Sequence, residues 1–179
     1  MRLIALARVP CATLAIANYR HPFVRQAVWE LKYRGNRAVA RLVAALVADE
    51  LSAIARITTK KIAIIPLPNS ARRRRERGWN QTELIAQYIP HYYPQAQIYA
   101  HMLKKIRHTP AQATLKSRAR LTNLAGSFKT ANDIRTKIDA NTLLILLDDV
   151  TTTGATFAEA FETLFVRGFT DIVCIAFAH

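Results

Sequence analysis

Two adjacent carboxylates, Asp148 and Asp149, directly follow five consecutive apolar residues, Leu143 to Leu147. A turn rich in threonine and glycine comes next and leads into an amphipathic segment. This order is typical of a buried parallel strand that turns tightly into the N-terminus of a helix. Backbone N–H groups of such a turn, with the helix dipole behind them, can bind a phosphate group. Carboxylates at the end of the strand can accept ribose hydroxyls, directly or through a metal ion.

A simpler interpretation is that the threonines cap a helix and the acids end a strand, since both residue types favour such positions. A cap needs only one side chain, however, and four threonines surround Gly154. Two neighbouring carboxylates also repel each other unless a cation or a hydrogen-bond donor uses them. We therefore favour the site for a phosphate and a ribose.

The run from Asp148 to Thr156 resembles the phosphoribosyl pyrophosphate (PRPP) loop of type I phosphoribosyltransferases, Asp-Asp-x-x-Thr-Thr-Gly-x-Thr. The resemblance implies that Asp148 and Asp149 hold the ribose hydroxyls and the Mg²⁺ that accompanies PRPP. It also implies that the turn holds the 5′-phosphate. The residues of that turn are Thr151, Thr152, Thr153, Gly154, Ala155 and Thr156. The family's 6-oxopurine enzymes carry a third acid where this chain has Thr152, which argues against purine salvage.

The composition predicts one domain, because 179 residues suffice for one substantial core. We expect residues 1–57 to form an N-terminal helical segment packed on it. No stretch of about twenty residues is continuously apolar, so we expect no membrane insertion. Cys11 and Cys174 are distant and unpatterned. They argue against a disulfide scaffold or a zinc site and favour a reducing, cytoplasmic setting.

The charge is strongly basic, with 26 Lys and Arg against 12 Asp and Glu, a net charge of +14. No acidic residue occurs from Leu84 through Asn132. Such an excess favours a polyanionic partner, either nucleic acid or a polyphosphate, although basic surfaces without one are common. One arginine cluster is a candidate for nucleic-acid contact: Arg72, Arg73, Arg74 and Arg75.

The periodicity predicts helices that alternate with strands, and hence an α/β fold with a mainly parallel central sheet flanked by helices. Predicted helices cover Phe23 to Leu31, Val39 to Val47, the segment after Asn80 and the segment after Ala155. Predicted strands are Ile62 to Ile65, Gln97 to Leu103, Gly126 to Lys129, Leu143 to Leu147 and Ile172 to Phe177. Residues 104–123 form a basic excursion. Ligands of such sheets bind at the carboxyl ends of the strands, where the 66–70 loop, this excursion and the 148–156 turn converge.

Trp29 and Tyr33 fall in the first helix among basic residues. Aromatic and arginine side chains interleaved in this way can stack nucleobases. We favour core packing beneath a solvated basic face.

The chain more widely resembles the ComF/GntX family of competence-associated proteins, over roughly residues 17–177. The matching residues are Leu31 to Gly35, Pro66 to Pro68, Arg72 to Arg77, Gly78 to Gln81, Arg107 to Gln112, Leu115, Arg118, Arg120, Asn123, Gly126 and Phe128. The resemblance implies a type I phosphoribosyltransferase-like fold and a role in DNA uptake beside a helicase-like partner. Many members begin with a zinc module, but Cys11 stands alone in that region, so no zinc is expected.

If the domain is catalytic, a nucleophile displaces pyrophosphate from C1 of PRPP with the help of Mg²⁺. The pyrophosphate would meet the loop Leu67, Pro68 and Asn69, under a mobile basic lid. The candidates for that lid are Lys105, Arg107, Arg118 and Arg120.

Three hypotheses stay open. The first is a Mg²⁺-dependent transferase that uses PRPP and an unidentified acceptor. The second is a non-catalytic DNA-uptake factor that binds single-stranded DNA, with PRPP or another ribose 5-phosphate compound as a regulator or with an unused pocket. The third is a protein-interaction platform for an acidic partner.

Overall fold

A six-stranded sheet with helices on both faces organises the computed structural model, which describes residues 2–6, 9–106, 126–131, 133–139 and 141–179. Its spatial order is β1-β2-β8-β7-β3-β4, and all neighbours are parallel except β1 and β2. The remaining strands, β5 and β6, pair antiparallel in a separate two-stranded sheet. The strands are β1 (Arg2–Ile4), β2 (Thr13–Ala17), β3 (Lys61–Pro66), β4 (Gln97–Ile98), β5 (Leu103–Lys105), β6 (Phe128–Thr130), β7 (Thr142–Val150) and β8 (Ile172–Ala178). The helices are α1 (Pro22–Trp29), α2 (Arg37–Ala55), α3 (Ala71–Arg77), α4 (Gln81–Ala86), α5 (Ile134–Lys137) and α6 (Ala155–Phe165). The predicted α/β class with a mainly parallel central sheet is confirmed.

The central strand β7 is apolar because both of its faces are covered. Ile145 and Leu147 pack in one buried cluster with residues of α2 and α4. Leu144 and Leu146 point to the opposite face and pack with residues of α6, including Phe157. Alternate side chains of one strand thus serve two separate cores, which explains the unbroken apolar run in the sequence.

Local residues end the first helical segment and begin the next. A π-helical turn, Glu30–Arg34, extends α1 and ends at Gly35, whose φ is +57°. The Asn36 side chain then caps α2 by accepting from Ala38 N and Val39 N. Trp79 donates from Nε1 to Leu31 O at 2.9 Å, and its ring lies against Gly35. This contact fixes the π-helical turn, and with it Lys32, against the segment that precedes α4.

The prediction for residues 1–57 was wrong in one respect, because the segment contributes two strands as well as its helices. Thr13–Ala17 lies parallel to β8, and Arg2–Ile4 forms the edge of the sheet. The apolar run from Leu14 to Ala17 is too short for its periodicity to separate a strand from other buried structure. Its pairing with β8, more than 150 residues away, is a tertiary effect.

Three strand boundaries also differ from the predictions. β7 continues through Val150, so Asp148 and Asp149 lie within the strand rather than after it. The segment from Gln97 to Leu103 forms no continuous strand, since β4 joins the main sheet and β5 joins the small one. The strand predicted at Gly126 begins two residues later, at Phe128.

The structure also bears on the predictions about membrane insertion and about the two cysteines. Within the part of the chain that the structure describes, no helix is long and apolar enough to cross a membrane. Cys11 and Cys174, distant in sequence, are free thiols whose Sγ atoms lie 3.5 Å apart.

Candidate functional site

A polar cleft of about 330 Å³ lies at the carboxyl ends of β3 and β7. It brings together the loop after β3, the end of β7 with the turn into α6, and Lys105 of β5. The convergence expected from the sequence is therefore present for the described residues. The predicted site residues that line the cleft are Leu67, Pro68, Asn69, Arg73, Lys105, Asp148, Asp149, Thr151, Thr152, Gly154, Ala155 and Thr156.

The turn from β7 into α6 is the predicted phosphate cradle. Gly154 is the residue before the 11-residue helix and has φ +73°, a left-handed conformation that suits glycine. The first N–H groups of a helix have no partner within the helix and carry its positive dipole end. Thr153, predicted to hold the 5′-phosphate, does not line the cleft, and its Oγ1 is buried without a hydrogen-bond partner among the described residues. An anion in the cleft would therefore meet donors that the fold leaves open.

The cradle is braced from outside by the connection between β1 and β2. A Cβ atom on Gly154 would come within 2.6 Å of Val9 Cγ2 and 2.8 Å of Leu6 Cδ1. Glycine is therefore favoured at position 154 for two reasons, the left-handed backbone conformation and the close packing of Leu6 and Val9.

The two carboxylates of β7 have different surroundings. Asp149 is buried, and its Oδ2 lies 3.1 Å from Lys32 Nζ in an ion pair without an aligned hydrogen bond. Gln81 Nε2 donates to Asp149 Oδ1 at 3.3 Å. The partly buried Asp148 accepts from the backbone N–H of Asp149 at 2.8 Å. Among the described residues, the ion pair that involves these two acids joins Lys32 to Asp149.

These surroundings separate the two pKa values. Burial and the negative charge of Asp149 raise the pKa of Asp148 well above its ordinary 3.8. Burial alone would also raise the pKa of Asp149, but the positive charge of Lys32 and hydrogen bonds from its neighbours lower it. The pair thus holds a proton on Asp148 more readily than on Asp149.

Replacing Asp148 by asparagine is expected to make the folded protein progressively more stable than wild type as the pH rises above 3.8. The native wild type retains a proton that the unfolded chain releases, because the native pKa is raised. The wild-type free energy of unfolding therefore falls between 3.8 and the raised pKa. Asparagine carries no such proton, so the variant escapes this loss. Urea unfolding of both proteins at about pH 5 and about pH 8 measures the difference. A difference independent of pH would contradict the raised pKa.

Sequence reasoning missed several residues that line the cleft, among them Lys32, Arg77 and Gln81. Gln81 joins the loop after β3 to the acids, because Asn69 Nδ2 donates to Gln81 Oε1 at 2.7 Å. Lys32 had a faint signal, since it stands in a short basic run that a glycine ends. Nothing local in the sequence indicates that this run faces β7, which is more than a hundred residues away.

The three residues of the predicted pyrophosphate loop differ in whether they have a backbone N–H group to offer a ligand. The Leu67 N–H donates to Leu147 O at 2.9 Å, and the Leu67 carbonyl accepts from Thr82 Oγ1 at 2.6 Å. Pro68 has no N–H. Of the three predicted residues, Asn69 is therefore the one whose backbone N–H is not taken up by the strand pairing.

The arginine cluster is divided by helix α3. Arg73 faces the cleft, together with Arg77 from the next turn. Arg72 instead pairs with Glu76 at 2.7 Å, and Arg74 lies 3.8 Å from Glu83. Arg75 is exposed and does not line the cleft. The four arginines thus do not form one surface, because helical periodicity turns them to different sides.

Of the four residues predicted to form a basic lid, Lys105 lies within the described residues. Its ammonium group lies 5.3 Å from the centre of the Phe128 ring. Burial lowers the pKa of Lys105, although the negative charge of Asp148 opposes this shift. The β5–β6 hairpin is held to α6 by Glu159, which accepts hydrogen bonds from the Ser127 backbone N–H and hydroxyl. Arg107, Arg118 and Arg120 lie outside the described residues.

No family model matches the chain. The DNA utilization protein YhgH of Salmonella typhimurium is 27% identical over 157 residues, which cover 87% of this chain and 66% of that protein. Competence protein F of Haemophilus influenzae is 31% identical over 114 residues, 62% of this chain and 47% of that protein. Competence protein ComFC of Bacillus subtilis is 27% identical over 148 residues, 81% and 55% respectively. The chain thus spans about half to two thirds of the length of these curated relatives.

Proposed function

Because the chain belongs to the ComF family of competence-associated proteins, we propose that it binds PRPP in the cleft and serves in DNA utilization. The observation that carries the ribose-phosphate part is the buried acid pair beside the glycine turn into α6. The names of the relatives, which refer to DNA utilization and competence, support the second part. The net charge of +14 agrees with a polyanionic partner.

The residues of the cleft fit a ribose 5-phosphate group. Asp148 and Asp149 supply carboxylate oxygens for the two ribose hydroxyls, and the turn before α6 supplies N–H donors for the 5′-phosphate. Lys32 keeps Asp149 ionised, which favours it as an acceptor. A ligand without a ribose would leave the acid pair unused.

The acid pair also fits Mg²⁺, which prefers hard oxygen ligands and keeps several waters. When bound with PRPP, the ion would neutralise charge on the leaving pyrophosphate. Asp148 is the acid positioned to contribute, because Asp149 already faces Lys32. Arg73, Arg77 and Lys105 surround the cleft with positive charge and would hold the pyrophosphate in place.

Transfer of the phosphoribosyl group is the reaction that this arrangement would support. The bond from C1 to the pyrophosphate oxygen breaks, the pyrophosphate leaves with the electron pair, and an acceptor nucleophile bonds to C1. Asp148 and Asp149 would hold the sugar while positive charge develops on it, and the basic residues would stabilise the leaving group. The acceptor is open to screening by pyrophosphate release.

Arg73 and Arg75 offer a matched test on one helix. We expect Arg73→Gln to weaken PRPP binding by roughly ten- to a hundredfold, the size of one lost charge-assisted hydrogen bond. Arg75→Gln removes the same charge outside the cleft and should leave the affinity nearly unchanged. Calorimetric titration of PRPP with Mg²⁺ into wild type and both variants gives the dissociation constants. Equal losses in both variants would indicate a general charge effect, and no binding by folded wild type would reject the PRPP proposal.

A further inference from the structure

Two aromatic side chains beside the cleft are exposed, contrary to the core packing expected from the sequence. Trp29, at the end of α1, is 41% exposed, and Tyr33, one helical turn later, is 59% exposed. Their ring centroids lie 5.8 Å apart, and the ring planes are tilted by 40°. Buried residues such as Val28 and Leu31 fill the core from this segment instead. The two rings therefore form an aromatic ridge, Trp29 and Tyr33, on the protein surface.

Each ring of the aromatic ridge is accompanied by a guanidinium group. Arg34 Cζ lies 4.9 Å from the centre of the Trp29 ring, and Arg77 Cζ lies 5.2 Å from that of Tyr33. Glu30, on the same helical segment, is mostly buried and accepts from Arg34 at 3.3 Å. The ridge thus combines aromatic faces with positive charge, which is the combination that binds unpaired bases and their phosphates.

The aromatic ridge is continuous with the cleft. A second groove, of about 460 Å³, runs along α1 and is lined by both rings and by Arg25. Lys32 and Tyr33 line this groove and the cleft alike. A chain of phosphates and bases that follows the groove would therefore reach the region of the acid pair.

We propose that the aromatic ridge is a stacking platform for the bases of a single-stranded nucleic acid. Trp29 and Tyr33 stack successive bases, and Arg25, Arg34 and Arg77 meet the phosphates. A double helix keeps its bases paired inside and offers them to neither ring, whereas an acidic peptide would use the arginines alone. This inference rests on the DNA-handling part of the proposed function and does not require PRPP binding, although Arg77 lies at both sites.

The test compares an oligothymidylate with an abasic strand of equal length at one fixed salt concentration. Fluorescence anisotropy should show tighter binding of the strand that carries bases. Trp29→Ala and Tyr33→Ala should each weaken its binding by roughly fivefold or more, in line with the loss of one stacked base. Affinity for the abasic strand should stay the same, because the arginines remain. Tyr92→Ala is the matched control, since Tyr92 is 50% exposed and lines neither groove.

Tryptophan fluorescence gives a second measurement that needs no destabilising change. The chain has two tryptophans, and Trp79 is packed against Gly35. Stacking on Trp29 should quench the wild-type emission when oligothymidylate is added, and Trp29→Phe should remove most of that quenching. Unchanged quenching in Trp29→Phe would overturn the inference. So would equal affinity for strands with and without bases. If the wild type binds PRPP but neither strand, this inference and the DNA-handling part of the proposed function are both rejected. The ribose-phosphate part of the proposed function is then retained.

Discussion

Replacement of Asp149 by asparagine is expected to abolish measurable binding of PRPP with Mg²⁺. The change removes the ionised member of the acid pair and leaves Lys32, the cation 3.1 Å away, without its partner. A neutral amide accepts a ribose hydroxyl more weakly and presents a donor group to it. Each charge-assisted hydrogen bond contributes about 1.5–3 kcal/mol. Loss of two such contacts corresponds to a decrease in affinity of at least roughly a hundredfold.

The same replacement should alter folding stability much less. The Asp149–Lys32 ion pair is lost, but the repulsion that raises the pKa of Asp148 is lost with it. The two effects oppose each other. We also expect the pKa of Asp148 to fall in the variant, because the neighbouring negative charge is gone. Carboxyl chemical shifts followed through a pH titration would measure that change.

A matched control for Asp149→Asn is Asp171→Asn. Asp171 also pairs with a lysine, at 2.6 Å from Lys60, but it does not line the cleft. Calorimetry should therefore show unchanged PRPP affinity in Asp171→Asn. Folded Asp149→Asn that bound PRPP as tightly as wild type would rule out the acid pair as the ribose site.

Replacement of Gly154 by alanine is expected to destabilise the protein by about 2–5 kcal/mol and to weaken PRPP binding with it. A residue with a side chain at φ +73° costs about 1–2 kcal/mol. The added Cβ would also meet Val9 and Leu6 at distances that force them to move. Overpacking of this kind costs about 1–3 kcal/mol more. Urea unfolding and PRPP titration measure the two effects.

The variant Gly78→Ala separates the cost of the left-handed backbone conformation from the cost of overpacking. Gly78 has φ +83°, but a Cβ there would have no neighbour within 4 Å. Its replacement should therefore cost only the conformational part, about 1–2 kcal/mol. Adding Val9→Ala to Gly154→Ala should recover part of the lost stability, since Val9 Cγ2 is the nearest atom. Equal losses for Gly78→Ala and Gly154→Ala would show that packing from residues Leu6 and Val9 is unimportant.

The cleft and the aromatic ridge together suggest an order for experiments on this protein. PRPP titration tests the ribose-phosphate part of the proposal, and strand binding tests the DNA-handling part. The two tests replace different residues, because Asp149 lies in the cleft and Trp29 lines only the second groove. A strand that changes the affinity for PRPP would show that the two sites are coupled, and by linkage PRPP would change the affinity for the strand equally.

The sequence by itself determined those features whose physical causes are local. The apolar run of β7, the acids at its end and the glycine turn are neighbours in the chain, so their types and spacing indicate the strand, the turn and the phosphate cradle. The cap of α2 at Asn36 and the stop at Gly35 are local for the same reason. Alternation of strands and helices was enough to predict the parallel sheet and the edge at which the cleft lies.

Only the tertiary structure decided which residues face one another across the cleft and which remain exposed. Lys32 meets Asp149 because Trp79 fixes the π-helical turn against another segment, and no local pattern encodes that contact. Arg73 faces the cleft and Arg75 does not because of the rotation of α3 about its axis. Trp29 and Tyr33 are large aromatic residues that were expected in the core, yet Val28 and Leu31 occupy the core and both rings are exposed. Strands β1 and β2 joined the sheet because β2 pairs with β8 and β1 pairs with β2. In each case the deciding interaction joins residues whose relative placement is set by the packing of the whole fold, and so it could not be derived from the sequence around either residue.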